Sequence, residues 1–266
     1  MGVTPWTFAR PPAPTRQAAV TLVVFGALTR DEPMSMSKFG APGTALPDIR
    51  MFARADDPAW FDGWRSGSLG AIARADLAGD TAALARADVL HVVTAEVTGP
   101  ADLVFLQTAW AIARYFVARG ATTVLDAHAM RFHAGVSLPP PGALDVAYEV
   151  RVVYETESTR PDQAHAIHTR GMRKFGAPDL VALCSDGDVA LISTAMGELA
   201  DAVARGQELG TPRHRVDVMP GVMWVVVPDE HRIGDLLQLN NAARVIVDAD
   251  GHDLVGVADR LRRRPS

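Results

Sequence analysis

Residues 168–180 read H-T-R-G-M-R-K-F-G-A-P-D-L, the stretch in which glycine, charge and aromatic side chains crowd most densely. It lies between a strand-like run at 148–156 and a strand-then-helix pattern at 179–205, so it reads as a structured crossing between two elements. Thr169 can accept a hydrogen bond at a helix start, and Gly171 and Gly176 permit positive φ or close backbone approach. Phe175 plugs the short turn into a core, and Ala177-Pro178 stops it, because the residue before proline avoids the α region. The expectation is a one-turn helix ending in a bend. Two roles fit such a turn. In the first, His168, Thr169, Arg170 and the backbone N–H groups near Gly171, with Asp179 closing the motif, face a groove and hold an anionic or polar ligand, as helix N-termini and arginine forks do. In the second, it is a capped turn carrying a surface arginine, since glycine and proline are the ordinary punctuation of loops.

Working outward, the pattern T-x-G-M-x-x-F-G-x-P-D-L followed by a long amphipathic helix resembles a large bacterial family, a domain of unknown function, whose members carry T-x-G-[LM]-x-x-[FY]-G-x-P-[DE]-L. The likeness is best over residues 148–248, looser over 87–133, and does not cover 43–86. No biochemical activity is assigned to that family. The resemblance therefore implies a fold and no reaction.

The motif has an echo. Lys174-Phe175-Gly176-Ala177-Pro178 repeats word for word as Lys38-Phe39-Gly40-Ala41-Pro42. The helical patterns at 106–120 and 192–206 align without gaps, sharing Thr-Ala near the start and Val-Ala-Arg-Gly at the end. Either the chain is an internal duplication with an insertion in its first half, or two alanine-rich helices resemble each other by composition alone. The fold class expected is α+β: two α/β halves, related if the duplication is real, each with a mixed sheet and one long helix.

The remaining elements follow from hydrophobic pattern. Residues 1–16 are proline-rich and read as extended or disordered. The first half spans 17–137 and opens on 18–28, a run apolar on both faces and so a buried strand. The insertion, about 43–87, contains Trp60, Phe61 and Trp64, which form either a cap over the core or an exposed interface. Strand 88–97, helix 103–119 with Gly120 at its C′ position, and strand 122–125 make a strand–helix–strand unit. Leu138-Pro139-Pro140-Pro141-Gly142 marks the boundary, the second half spans 143–258, and 259–266 is a basic tail with Arg260, Arg262, Arg263 and Arg264.

Composition bounds the function. The 266 residues are 48% apolar and 21% charged, which is ordinary for a globular chain, and the net charge of −5 argues against a nucleic-acid partner. Lys38 and Lys174 are the only lysines, an arginine bias that fits a GC-rich bacterial genome. The single cysteine, Cys184, sits in an apolar run and reads as a buried structural thiol. No window is long and apolar enough to span a bilayer and the start lacks the order of a signal peptide, so a cytoplasmic location without a membrane partner is expected.

Chemistry-bearing patterns are few. Asp126-Ala127-His128 with His133 supplies metal-ligand types beyond a strand end, although the spacing matches no zinc signature. His165 lacks the partners of a metalloprotease helix, and Glu155 with Glu157 reads as a solvated strand face. There is no nucleophile elbow, Walker loop or dinucleotide turn. The reading is therefore a binding or protein-interaction module without a cofactor, whose partner is an unknown protein or a small polar ligand and whose recognition surface includes the 169–179 turn. The alternative is a metal-assisted hydrolase using Asp126, His128 and His133, with Arg170 stabilising developing negative charge.

Overall fold

The computed structural model describes residues 3–10, 12–26, 36–42, 47–155, 165–219 and 222–262. The expectations that fall on residues 27–35, on Glu157 and on Arg263 and Arg264 lie outside the described residues. The chain divides into two units, residues 1–148 and 149–266. Each has its own sheet, and the fold is α+β.

The first unit holds β1 (Gln17–Phe25), β2 (Asp48–Ala53), β3 (Val89–Thr98), β4 (Thr123–Asp126) and β5 (Arg131–Ala134). Their order is β2-β3-β1-β4-β5, and every pairing is antiparallel. A mixed sheet was expected here. The difference arises because β1 sits between β3 and β4, so the two ends of the strand–helix–strand unit never pair with each other. Central β1 is buried along both faces, as its unbroken apolar run requires. Val23 and Phe25 point into a cluster with Phe61, Leu84, Leu90 and Phe132. That cluster is roofed by α1 (Pro58–Gly63), α2 (Gly67–Asp76) and α3 (Ala82–Arg86), so the insertion caps the sheet and also adds the edge strand β2.

The other face carries α4 (Val104–Ala118), which packs on β1 and β3. Its Gln107 is fully buried because it clamps the proline-rich start: Trp6 N–H donates to Oε1 at 2.9 Å and Nε2 donates to the Thr4 carbonyl at 3.0 Å. Leu103 N–H donates to the Trp6 carbonyl, so the start of the chain lies extended and docked, with Trp6 and Phe8 buried. The proline stretch at 138–142 is likewise tied down within this unit, with Arg114 Nη1 donating to the Pro139 carbonyl. The division falls later, between Tyr148 and Glu149 in the short helix α5 (Val146–Glu149).

The second unit holds β6 (Arg151–Glu155), β7 (His165–Arg170), β8 (Asp179–Cys184), β9 (His214–Met219), β10 (Val222–Pro228) and β11 (Ala243–Asp248). The order is β6-β7-β8-β11-β10-β9, mixed through the one parallel pair β8/β11. Helix α6 (Val189–Ala204) packs on β6, β7 and β8, while α7 (Ile233–Leu236) and α8 (Val257–Arg262) are short.

The two echoes take the same shapes. Residues Met36–Phe39 and Met172–Phe175 are both 3-10 turns followed by a left-handed glycine, Gly40 at φ 90° and Gly176 at φ 65°. Each turn packs against the helix that follows the paired strand, α4 or α6. Both helices also end alike, with Ala121 N–H donating to the Phe116 carbonyl and Gln207 N–H to the Ala202 carbonyl around a glycine at φ 105°.

Candidate functional site

The 168–180 motif connects β7 to β8, and its polar side chains turn inward. His168 and Thr169 are fully buried and Asp179 is 1% exposed, so the expectation that they face a ligand groove is corrected. The reason is a closed hydrogen-bond network. Thr169 Oγ1 donates to Asp179 Oδ1 at 3.0 Å and accepts from Leu180 N–H at 2.8 Å. Asp179 Oδ1 also accepts from Met172 N–H, and Oδ2 accepts from Asn241 Nδ2 at 3.0 Å. Burial pushes the Asp179 carboxyl up to about 6, against the opposing pull of the Asn241, Thr169 and Met172 donors. His168 meets Glu155 Oε1 through Nε2 at 3.0 Å, and burial lowers its pKa despite that carboxylate.

Gly171 has φ 113° and lies so close to the Glu149 carbonyl oxygen that a Cβ would stand 2.3 Å from it. This is the close approach that only glycine permits. Lys174, one turn on, reaches the carboxylate of the same residue, Nζ to Oε2 at 2.6 Å, with both side chains fully buried. Arg170, like Arg173, is only half-buried. Its Nη2 donates to the Leu237 carbonyl at 3.1 Å, at the C-terminal end of α7, where a cation suits the helix dipole. The motif is thus a knot that joins β6, β7, β8 and the 237–242 segment.

The alternative ligand set is not assembled. Asp126 Oδ1 accepts N–H bonds from His128 and Ala129, both at 3.0 Å, closing the tight turn between β4 and β5. His133 is buried with its ring edge-on to Trp110, centroids 5.3 Å apart. Among the described residues, the one triple of His, Cys, Asp or Glu whose donor atoms all lie within 4.8 Å of one another is Asp248, Asp250 and His252. There Asp248 Oδ1 accepts from the N–H groups of both others, which makes it a turn former after β11. Cys184 is buried, and burial with Asp188 and Asp186 raises its thiol to about 12, so it carries no thiolate at neutral pH. No described helix is long and apolar enough to cross a membrane.

A different feature of the second unit has room for a ligand. On the face of the sheet that carries α7, a groove of about 1070 Å³ runs over Val227, Val245 and Val247 to Leu183, Ile233 and Leu236. Leu236 is 68% exposed at its lip and Val255 is 39% exposed across from it. Arg213 and His231 stand on the rim, together with Glu230 and Asp253. Neither the Arg213 nor the His231 side chain makes a hydrogen bond or ion pair among the described residues. Sequence patterning missed this groove because its floor consists of ordinary strand valines. Only the pairing of β11 with β8 on one side and β10 on the other brings them side by side.

The chain matches no protein-family model, no curated protein and no solved structure. The functional reading therefore rests on geometry.

Proposed function

We propose that this protein is a ligand-binding module whose ligand is a small amphipathic carboxylate held in the groove over β8, β10 and β11. The observation that carries this reading is the groove itself: an apolar floor, an exposed apolar lip at Leu236, and a rim guanidinium at Arg213 without a partner among the described residues. An apolar floor with a few convergent polar groups is the usual build of a small-molecule site, and the volume is near the upper end of such sites. A guanidinium matches a carboxylate in two-point geometry. Glu230 and Asp253 on the same rim favour a ligand with a single negative charge over a polyanion. Binding without turnover accords with a site that brings no nucleophile and base together.

Calorimetric titration with octanoate tests the reading. Saturable one-to-one binding with a negative heat-capacity change is expected, because apolar surface is buried. Arg213→Ala and Leu236→Glu should each weaken it about tenfold, a loss of about 1.4 kcal/mol, without lowering the melting temperature, as both side chains are exposed. Absence of saturable binding, or variants that bind as well as the parent, would overturn it.

A further inference from the structure

The first unit contains a second cavity, independent of the groove and built on opposite principles. It measures about 370 Å³ and lies among the cap helices, lined by Arg54, Arg65 and Arg74 with Ser66 and Gly70 of the α2 start and Thr81. Its three arginines differ in what holds them. Arg65 is fixed: Nη1 donates to the carbonyls of Leu84 and Ala87, both at 2.7 Å, Nε and Nη2 donate to Asp62 Oδ1, and the guanidinium lies 4.9 Å from the Phe61 ring centroid. Arg54 grips the same Asp62 through Nε and Nη2, which leaves Nη1 unused. Asp62 is held ionised by this pair, its carboxyl lowered to about 2 by the hydrogen bonds from Arg54 and Arg65.

The Arg74 side chain has no hydrogen bond or ion pair among the described residues. Its Nη1 lies 3.8 Å from the point where a Cβ on Gly70 would stand, so the guanidinium folds back over the first turn of α2. Of that turn Gly70 lines the cavity, and its N–H already donates to the Ser66 carbonyl at 3.0 Å, so the donors left for a ligand are guanidinium groups. The positive charges of three arginines are opposed at this cavity by Asp62 and, farther from it, by Asp88, which acts on Arg54. A net positive charge remains at a concave site.

We infer that the cavity between α1, α2 and α3 is a binding site for a phosphoryl group, held by the guanidinium groups of Arg54 and Arg74. Phosphate suits it better than the monocarboxylate of the groove, because a tetrahedral oxyanion accepts from two guanidinium groups at once. Arg65 shapes the site without spending a free donor on the ligand. Its bonds to the Leu84 and Ala87 carbonyls fix it against α3 and the residue that follows.

The test is titration calorimetry of the whole chain with inorganic phosphate at low ionic strength. One-to-one binding that weakens with added chloride is expected. Arg74→Gln should weaken it about tenfold and Arg74→Glu should abolish it, with unchanged melting temperatures because Arg74 is exposed and unpartnered. Arg213→Ala, in the other unit, should leave phosphate binding intact, so this site and the groove fail or succeed separately. No saturable phosphate binding at millimolar concentration, or equal binding by Arg74→Glu, would overturn the inference.

Discussion

Replacing Thr169 by valine swaps one buried hydroxyl for a methyl group of nearly the same shape and separates the two roles of the 168–180 motif. The hydroxyl donates to Asp179 and accepts from Leu180 N–H, so valine orphans both a carboxylate oxygen and a backbone donor. A buried N–H left unpaired costs about 1–3 kcal/mol, and a hydrogen bond to a charged group is worth about 1.5–3 kcal/mol. The expected loss is ~3–5 kcal/mol, a large part of the roughly 5–15 kcal/mol that holds a domain folded. The cost should also depend on pH. Because the folded pKa of Asp179 is raised from 3.8 to about 6, stability from this group is greatest in acid and is lost as pH climbs from about 4 to about 6, by about 3 kcal/mol. The Thr169 hydrogen bond favours the ionised carboxylate, so removing it pushes the pKa higher and the penalty grows with pH. Urea denaturation followed by far-ultraviolet circular dichroism, at about pH 5 and about pH 7.5, measures both. A variant within about 1 kcal/mol of the parent at both values, or an equal loss at both, would refute the structural reading of the motif and restore a surface role.

Two further substitutions probe buried charge and buried imidazole. Lys174→Met leaves the Glu149 carboxylate in the interior without its 2.6 Å partner and should cost about 3–5 kcal/mol in the same denaturation assay, whereas Lys174→Met with Glu149→Leu should recover most of that loss. An additive double variant would show that the pair is not coupled. His91 is 3% exposed, stacks on Phe116 at 4.2 Å, and has neither ring nitrogen paired among the described residues. Burial lowers its pKa, so the unfolded chain takes up the proton first and stability is lost as pH falls below about 6.5. His91→Phe should therefore raise the melting temperature more at about pH 5.5 than at about pH 7.5, and a reversed difference would refute it.

What was legible in the sequence was what local pattern determines. The unbroken apolar run of β1 announced a strand covered on both sides, and it lies between the α4 face and the cap. The glycines after α4 and α6 announced helix ends, and both adopt the left-handed conformation that satisfies the last carbonyls. Edge strand β2 was not legible, because D-I-R-M-F-A alternates over only four residues and is at most half-buried on either face. Thr169 and Asp179 were marked as polar residues in a suggestive spacing, yet their burial depends on Asn241, 62 residues farther along the chain. The groove was invisible for the converse reason, since every floor residue is what a strand interior would have anyway.

The repeated K-F-G-A-P word shows where the limit lies. Both copies form a 3-10 turn ending in a left-handed glycine and pack against the helix that follows, so the word specifies a conformation and a docking face. It does not specify the role of its lysine. Lys38 is exposed beside the Phe39 ring, while Lys174 is fully buried on Glu149. The difference comes from residue 171, three before the second lysine, where a glycine lets the Glu149 backbone come close enough to offer its carboxylate. The matching position, three before Lys38, is Ser35 in the sequence, a residue type without the conformational freedom of glycine. Charge in a turn motif thus marks a site only once the tertiary partner of each side chain is known. By that standard Arg74 and Arg213, unremarked in the sequence and with side chains unpartnered among the described residues, are better indicators of ligand than the charged motif that first draws the eye.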